Sequence, residues 1–124
     1  MTGTGAPHLA LGRAAEDAAC RHLESAGYRI VARNFRHRLG ELDIVAIDGG
    51  VLALVEVRYR SGNRFGGAAA SVTPAKRARL VRAAQVLLKR RPELAALRAR
   101  FDFVEVHGGA GDLRCRLVRS AFSL

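Results

Sequence analysis

The stretch that most constrains this chain runs from Gly40 to Arg60, with the sequence GELDIVAIDGGVLALVEVRYR. Two runs rich in Val, Ile and Leu, each about one strand long, meet at a pair of glycines. Glycine tolerates the positive φ that a tight hairpin turn requires. The sequence therefore predicts a β-hairpin with Gly49-Gly50 as its two-residue loop and Asp48 opposite Val51.

The predicted register brings four charged side chains together at the end of the hairpin away from the turn. Counting back from the loop places Asp43 opposite Glu56, and Glu41 opposite Arg58. Because side chains alternate along a strand, these four share one face, and the apolar remainder of both faces indicates strands that are covered on each side. The shared face is predicted to hold Glu41, Asp43, Val45, Ile47, Leu52, Leu54, Glu56 and Arg58, and the opposite face Leu42, Ile44, Ala46, Ala53, Val55 and Val57.

Carboxylates that face each other in this way need compensation. Two unit charges roughly 5 Å apart repel by about 3 kcal/mol at an effective dielectric constant of about 20, which is a large share of a small domain's stability. A hard cation such as Mg²⁺ relieves the repulsion, since it prefers one or two carboxylates together with water and substrate phosphates. Arg58 alone also relieves it. The pattern thus leaves open a metal site at Asp43 and Glu56 or a structural ion pair.

The charge balance of the chain favours a polyanionic partner. Lysine and arginine number 21 against 11 acidic residues among 124, which gives a net charge of +10. Nucleic acid is the first candidate partner and an anionic membrane surface the second, although codon usage that favours arginine explains part of the excess. The length and the 49% hydrophobic content predict one domain over residues 11–124, after a small, Gly-rich tail, residues 1–10, that we expect to be disordered.

Several classes of protein are disfavoured by the sequence. Cys20 and Cys115 lie far apart, and neither has another cysteine or histidine at zinc-ligand spacing, which argues against a disulfide framework and a zinc site. The amino terminus lacks a basic segment followed by a long apolar core, and no apolar run approaches membrane-spanning length. We therefore expect a cytoplasmic protein that does not enter the membrane.

Two helices flank the hairpin in the sequence. Apolar residues recur at spacings of three and four over residues 12–26, and Gly27 is placed to stop that helix. Glu16 stands beside the apolar stripe, so it points either along the core boundary toward the sheet or into solvent. Thr73 as N-cap and Pro74 at the first position begin a second helix that runs to about residue 90.

Three further strands complete the predicted domain, over residues 28–35, 100–107 and 113–118, and the Gly-rich residues 61–71 are expected to form a mobile loop. The strand that ends at Tyr59 and the strand that starts near Phe101 are joined through a helix, so they can be parallel neighbours. The order predicts an α/β domain with a central mixed sheet of about five strands and helices packed against it.

Basic residues crowd the second helix without an acidic residue among them. Like charges at this spacing weaken a helix slightly, so their density indicates contact with a phosphate backbone, with a merely solvated face as the alternative. The candidate nucleic-acid-binding residues on this helix and around the hairpin are Arg36, Arg38, Arg60, Lys76, Arg77, Arg79 and Arg82.

An acidic residue on a first helix, an aspartate on a strand and a Glu-x-basic pair on the next strand resemble the pattern of PD-(D/E)xK nucleases, which have the restriction-endonuclease-like fold. Segments along nearly the whole chain resemble the YraN-type family of uncharacterised bacterial proteins, predicted endonucleases distantly similar to archaeal Holliday junction resolvases. These segments are Gly12 with Ala15-Glu16 and Leu23; Gly27-Tyr28; Asn34; Gly40-Glu41-Leu42-Asp43; Val55-Glu56-Val57-Arg58-Tyr59-Arg60; Phe65-Gly66; Val72-Thr73 with Lys76; and Arg100-Phe101-Asp102.

The resemblance implies a three-layer core and a Mg²⁺- or Mn²⁺-dependent endonuclease that hydrolyses DNA, with structured or branched DNA as a candidate substrate. By position, Glu16 matches the helix glutamate of this pattern, Asp43 the metal-binding aspartate and Glu56 the second metal ligand. Arg58 takes the place of the lysine. Arginine stays protonated, so it can stabilise developing charge on phosphate but cannot help to deprotonate water, and Lys76 is a candidate substitute. Resolvase-like enzymes act as dimers, so a homodimer is also implied.

Three hypotheses follow for the function. In the first, Glu16, Asp43, Glu56 and Arg58 are catalytic, Asp43 and Glu56 hold the metal, and Glu41 orients Arg58 or a metal-bound water. In the second, the chain is a nucleic-acid-binding module of the same fold without turnover. In the third, it is a basic protein-interaction domain whose carboxylates are locked in a Glu41–Arg58 pair.

Overall fold

The computed structural model describes residues 6–60, 72–109 and 111–123. Its elements follow the predicted order of helix, three strands, helix and two strands, with one additional short helix. They are α1 (Ala6–Ser25), β1 (Arg29–His37), β2 (Gly40–Asp48), β3 (Val51–Arg60), α2 (Pro74–Arg90), α3 (Pro92–Ala95), β4 (Arg98–Gly109) and β5 (Asp112–Ser123). The loop expected over residues 61–71 lies outside the described residues.

The five strands form one mixed sheet in the order β1-β2-β3-β4-β5. Neighbouring strands are antiparallel except β3 and β4, which run parallel from the Val51–Arg98 pair to the Arg60–His107 pair. The parallel pair is the one that the sequence predicted, because a chain that passes through α2 returns to the same end of the sheet before it enters β4. β5 is an edge strand.

The two longer helices cover opposite faces of the sheet. α2 packs Leu80, Ala83 and Leu87 against one face, in a cluster with Phe101 and Phe103. α1 covers the other face in a cluster that contains Ala15, Ala19 and Leu23 beside Val104 and Val106. Each fully buried Leu, Val or Phe contributes about 1.5–3 kcal/mol. The chain is therefore an α/β domain, with a five-stranded mixed sheet flanked by helices that is consistent with a three-layer restriction-endonuclease-like core.

Of the four predicted ends of α1 and α2, three match the structure. One of them is the end of α2, which lies at Arg90. Thr73 caps α2, since its Oγ1 accepts a 3.1 Å hydrogen bond from the backbone N–H of Lys76, and Pro74 is the first helical residue. Gly27, with a φ of 95°, follows the end of α1 as the predicted stop. The predicted start of α1 was wrong: the helix begins at Ala6, not Gly12, so residues 6–10 are helical. Residues 1–5 of the expected disordered tail lie outside the described part.

None of the helices in the described ranges has both the length and the apolar character needed to cross a membrane.

The hairpin register is confirmed over its apolar part. Asp48 pairs with Val51 across Gly49-Gly50, and the pairing continues as far as Ile44 and Val55. The predicted faces also hold over this part, because alternating residues fall into the two opposite clusters. Beyond this part, Leu42 departs from the predicted faces, since it belongs to the α2-side cluster and not to the opposite one.

The change of face at Leu42 coincides with a change in backbone conformation on β1. Asn34 has a φ of 55°, in the left-handed region that strands do not use, and it lies between Arg33 and Phe35. Those two residues pair with Ile44 and Leu42 on β2. The regular alternation that the prediction assumed is therefore interrupted next to Asp43.

A network of polar side chains joins four elements toward the hairpin end of the sheet. Asp102 is fully buried, and its carboxylate accepts hydrogen bonds from the Tyr28 hydroxyl (2.7 Å), the Arg100 guanidinium (2.9 and 3.1 Å) and the Ser120 N–H (2.8 Å). Arg100 also donates to the Tyr28 hydroxyl and pairs with Asp48. Arg119 Nε donates a 3.2 Å hydrogen bond to the same hydroxyl. We call Tyr28, Asp48, Arg100, Asp102 and Arg119 the Tyr28 network.

Candidate functional site

Beyond the Ile44–Val55 pair, β2 and β3 no longer continue their ladder. β2 remains paired with β1 as far as Gly40, and β3 remains paired with β4 as far as Arg60. At this point the backbone N–H of Val57 donates a 2.8 Å hydrogen bond to Asp43 Oδ2, so a side chain takes the place of a backbone acceptor. We call this end of the two strands, residues 40–43 and 56–60, the sheet fork.

Asp43 is the most perturbed carboxyl group at the sheet fork. Burial raises its pKa from 3.8 to about 6, against the hydrogen bond from Val57, which lowers it. The negative charges of Glu56, Glu16 and Glu41 raise the pKa further. A folded domain does not gain stability from such an arrangement, so the crowding of acids marks the fork as a candidate site for a cation or for acid–base chemistry.

Glu56 faces a cleft on the α2 side of the sheet. Its side chain is 12% exposed, and Lys76 Nζ lies 2.7 Å from its Oε2 as an ion pair that lacks the direction of a good hydrogen bond. The cleft has a volume of about 310 Å³ and is lined by residues 37–41, Glu56, Lys76, Arg79 and Leu80. We call it the basic cleft. The structure thus places Lys76, the candidate substitute for the missing lysine, directly against a predicted metal ligand.

Glu16 lies on the other side of the sheet and is held by β1. Its Oε1 accepts hydrogen bonds from Arg33 (3.1 and 3.0 Å) and from the side-chain amide of Asn34 (2.9 Å). Its side chain is 16% exposed, so the solvated alternative is wrong. Glu16 and Asp43 line one groove of about 640 Å³, together with Arg13, Asp17, Arg33 and Asn34.

The two predicted metal ligands therefore line different recesses of the sheet fork, Asp43 the α1-side groove and Glu56 the basic cleft. The prediction that they share one face assumed a regular alternation along β2, which breaks between Ile44 and Leu42 because these two residues pack in opposite clusters. Among residues 6–60, 72–109 and 111–123, no three acidic, histidine or cysteine side chains are grouped as a ready metal site. The carboxylates of the two recesses nevertheless act on each other, because the charges of Glu56 and Glu16 both raise the pKa of Asp43.

Glu41 has a different partner from the one predicted by counting along the hairpin. It pairs in register with Arg36 on β1, and Arg36 Nη1 lies 3.3 Å from Glu41 Oε2. The extrapolation to Arg58 was wrong because the β2–β3 ladder ends before it reaches these residues. In the register of the parallel pair, Arg58 is instead aligned with Glu105 on β4.

Sequence reasoning missed two buried ionisable residues on β4, Glu105 and His107, each 2% exposed. They align with Arg58 and Arg60 at the sheet fork. A signal was present in the sequence: the run from Arg100 to His107 places a charged or polar residue at every second or third position of a strand that is otherwise apolar. Buried charge requires compensation, so such a strand predicts polar partners inside the domain.

The basic candidates fall into separate groups. Arg38, Lys76 and Arg79 line the basic cleft. Arg77 and Arg82 instead line a shallow groove on another side of α2, with Val72 and Val81. Arg36 is engaged by Glu41, and Arg60 is exposed at the end of β3. A single uninterrupted basic stripe is therefore not formed by the predicted residues.

Comparison with known proteins places the chain in a family. Residues 15–106, which include α1 from Ala15 onward and the whole sheet fork, match the model of the uncharacterised protein family UPF0102. The chain belongs to the UPF0102 family. A UPF0102 protein of Symbiobacterium thermophilum is 50% identical over 113 residues, which cover 90% of this chain and 95% of the relative. One of Xanthomonas campestris pv. campestris is 53% identical over 113 residues, or 91% of each chain. A UPF0102 protein of Bordetella avium is 49% identical over 116 residues, or 94% of this chain and 77% of the relative.

Proposed function

We propose that this UPF0102 chain is a metal-dependent endonuclease that hydrolyses phosphodiester bonds of DNA at the sheet fork. The observation that carries the proposal is Asp43, a buried carboxyl group whose pKa is raised to about 6 by burial and by three neighbouring glutamates. A group poised near neutrality among like charges is common at catalytic and cation-binding sites. The resemblance to PD-(D/E)xK nucleases on Glu16, Asp43 and Glu56 points in the same direction.

Asp43 and Glu56 are the residues that would hold Mg²⁺ or Mn²⁺. Their chemistry fits the ion, because Mg²⁺ needs only one or two carboxylates when water and substrate phosphate complete its coordination. The repulsion that raises the Asp43 pKa is the repulsion that a bound cation would relieve. When bound, the metal supplies a polarised phosphate and a water with a lowered pKa.

The remaining side chains of the fork have separate roles in the proposal. Glu16, fixed by Arg33 and Asn34, keeps negative potential on Asp43 from the α1 side. Lys76 brings an ammonium group to Glu56, where it can move to a substrate phosphate or donate a proton to a leaving oxygen. Arg58 stabilises the charge that develops on the phosphate. Arg38 and Arg79 bind the adjoining backbone from the basic cleft.

Cleavage assays on matched DNA substrates test this proposal. The purified protein is expected to cut at least one of duplex, single-stranded, flap and four-way DNA with Mg²⁺ or Mn²⁺, and to lose that activity with EDTA. Asp43→Ala and Glu56→Ala should each lower the rate at least about 100-fold, whereas Glu93→Ala, which changes an exposed carboxylate far from the fork, should not. Mn²⁺ should also raise the melting temperature of the wild type but not of Asp43→Ala. Cutting that survives Asp43→Ala contradicts the mechanism.

A second candidate function is DNA binding without turnover. The specific observation in its favour is the Glu56–Lys76 ion pair, which already neutralises a proposed metal ligand, together with arginine in the lysine position. This alternative predicts DNA affinity that falls steeply with salt, no metal-dependent product and no effect of Mn²⁺ on melting. Weakened binding in Arg79→Gln together with full binding in Asp43→Ala would favour it.

A further inference from the structure

The turn between β1 and β2 carries an exposed leucine at the mouth of the basic cleft. Leu39 is 43% exposed, and among residues 12–60, 72–109 and 111–121, whose side-chain exposure the structure describes, it is the one large hydrophobic side chain in an exposed position. Isolated exposed leucines are common on protein surfaces. Leu39 differs in its position, because it lines the same cleft as Glu56 and Lys76.

This turn is held firmly against α2. Gly40 approaches the helix so closely that a Cβ atom there would collide with the carbonyl oxygen of Arg79 and lie 3.4 Å from Ala83 Cβ. On the other side of the turn, the Leu39 N–H donates a 3.2 Å hydrogen bond to His37 Nδ1. The backbone that carries Leu39 is therefore anchored, so little backbone freedom would be lost if its side chain contacted a ligand.

Cations line the same cleft as this exposed apolar side chain. Arg38 precedes it in the turn, and Lys76 and Arg79 face it from α2 across the cleft. No exposed aromatic side chain on which a base could stack is found among residues 12–60, 72–109 and 111–121. Around the cleft, phosphates can be bound by several side chains, and Leu39 offers an exposed apolar side chain for contact with bases.

We propose that Leu39 is a wedge that enters a base step of DNA where stacking is already interrupted, at a nick or a branch point, while the cations of the basic cleft hold the phosphates on either side. This inference rests on the proposed function, since it assigns the substrate class of the same site. Apolar side chains, leucine among them, are known to insert between base steps in this way. The unstacking they require is smallest where the duplex is already broken, so the wedge selects interrupted over continuous DNA.

Binding measured without metal tests the wedge independently of cleavage. Fluorescence anisotropy would compare continuous duplex, nicked duplex and four-way DNA that share length and sequence. We expect the wild type to prefer the interrupted DNAs about tenfold, the size expected from burial of a leucine side chain. Leu39→Ser should remove the preference without weakening binding to continuous duplex, and Leu39→Met, which keeps the apolar bulk, should retain it.

Two further readouts separate a lost wedge from a damaged fold. Leu39 belongs to neither core cluster, so Leu39→Ser should leave the melting temperature unchanged. A 2-aminopurine beside the nick should brighten when the wild type binds and stay dim with Leu39→Ser. Equal affinity of the wild type for all three DNAs, or an unchanged preference in Leu39→Ser, overturns the wedge alone. Absence of any DNA binding by the wild type overturns the proposed function as well.

Discussion

The Tyr28 network and the sheet fork use the same kinds of residue in opposite ways. In the Tyr28 network, Asp102 is fully buried and receives hydrogen bonds from a hydroxyl, a guanidinium and a backbone N–H. At the fork, Asp43 receives one backbone N–H, and three glutamates act on it electrostatically. In one cluster the buried carboxylate is paired with a guanidinium, and in the other the neighbouring carboxylates raise the pKa of the buried group, which lies next to open recesses.

This difference separates stability from function within one small sheet. A buried carboxylate whose partners all come from the protein stabilises the fold that positions those partners. A buried carboxylate surrounded by others lowers stability until a cation or a proton arrives. The contrast predicts that similar substitutions in the two clusters change stability in opposite directions.

The largest expected effect is at Asp102. Asp102→Ala leaves the Arg100 guanidinium and the Tyr28 hydroxyl without their shared acceptor, and removal of one partner from a buried ion pair costs about 3–5 kcal/mol. Urea denaturation at pH 7 would measure the loss of unfolding free energy. Glu93→Ala, which removes an exposed ion pair with Arg91, is the matched control and should leave the denaturation midpoint unchanged. A midpoint for Asp102→Ala equal to the control would break the comparison.

A smaller effect of opposite sign is expected at Asp43. Because the folded-state pKa of Asp43 is about 6 and its ordinary value is 3.8, the folded state binds the proton more tightly than the unfolded state. The stability contributed by the protonated group is full below pH 3.8 and is lost as the pH rises through about 6. Asp43→Asn should therefore raise the unfolding free energy at pH 8 by about 1–2 kcal/mol.

Urea denaturation of wild type and Asp43→Asn between pH 4.5 and pH 8 would measure this gain. The difference should grow with pH up to about 7 and then stay constant, because Asp43 is then fully ionised. Asp112→Asn changes an exposed aspartate at the start of β5 and should give no comparable gain. A variant Asp43→Asn that is less stable than wild type at pH 8 would show that the fork is not electrostatically strained.

The smallest effect is expected for Glu41, an exposed residue of the fork. Its side chain is 59% exposed and pairs with an Arg36 side chain that is 71% exposed, so Glu41→Gln should change the unfolding free energy by no more than about 0.5 kcal/mol. Removal of its negative charge from the rim of the basic cleft should strengthen DNA binding about twofold at low salt. Anisotropy titrations at two salt concentrations would measure the change in affinity, and a large loss of stability would show that the exposed Glu41–Arg36 pair matters to the fold.

Much of the fold was predictable from local signals. Gly49-Gly50 fixed the hairpin register as far as Ile44 and Val55, and Thr73-Pro74 fixed the start of α2, because each signal depends on backbone conformation over a few residues. The parallel placement of β3 and β4 followed from the helix between them. These features need no knowledge of distant contacts.

The geometry of the candidate site was predictable only in part. Asp43 and Glu56 were found from their types and spacing, but they line two separate recesses, since the alternation of side chains along β2 breaks between Ile44 and Leu42. The Tyr28 network was missed because its hydrogen bond from Tyr28 to Asp102 joins residues 74 positions apart. Alternation along one strand carries no information about such partners.

The distance in sequence between Tyr28 and Asp102 also bears on when the chain can fold during its synthesis. Tyr28, Asp48 and the β2–β3 hairpin leave the ribosome long before Asp102 and Arg100, which complete their hydrogen bonds. A nascent chain that ends before β4 would have β3 exposed as an edge strand and the Tyr28 hydroxyl without Asp102 as its acceptor. Stable folding therefore requires β4 and β5 in the carboxyl-terminal quarter of the chain. Shortened translation products that lack these strands should remain unfolded.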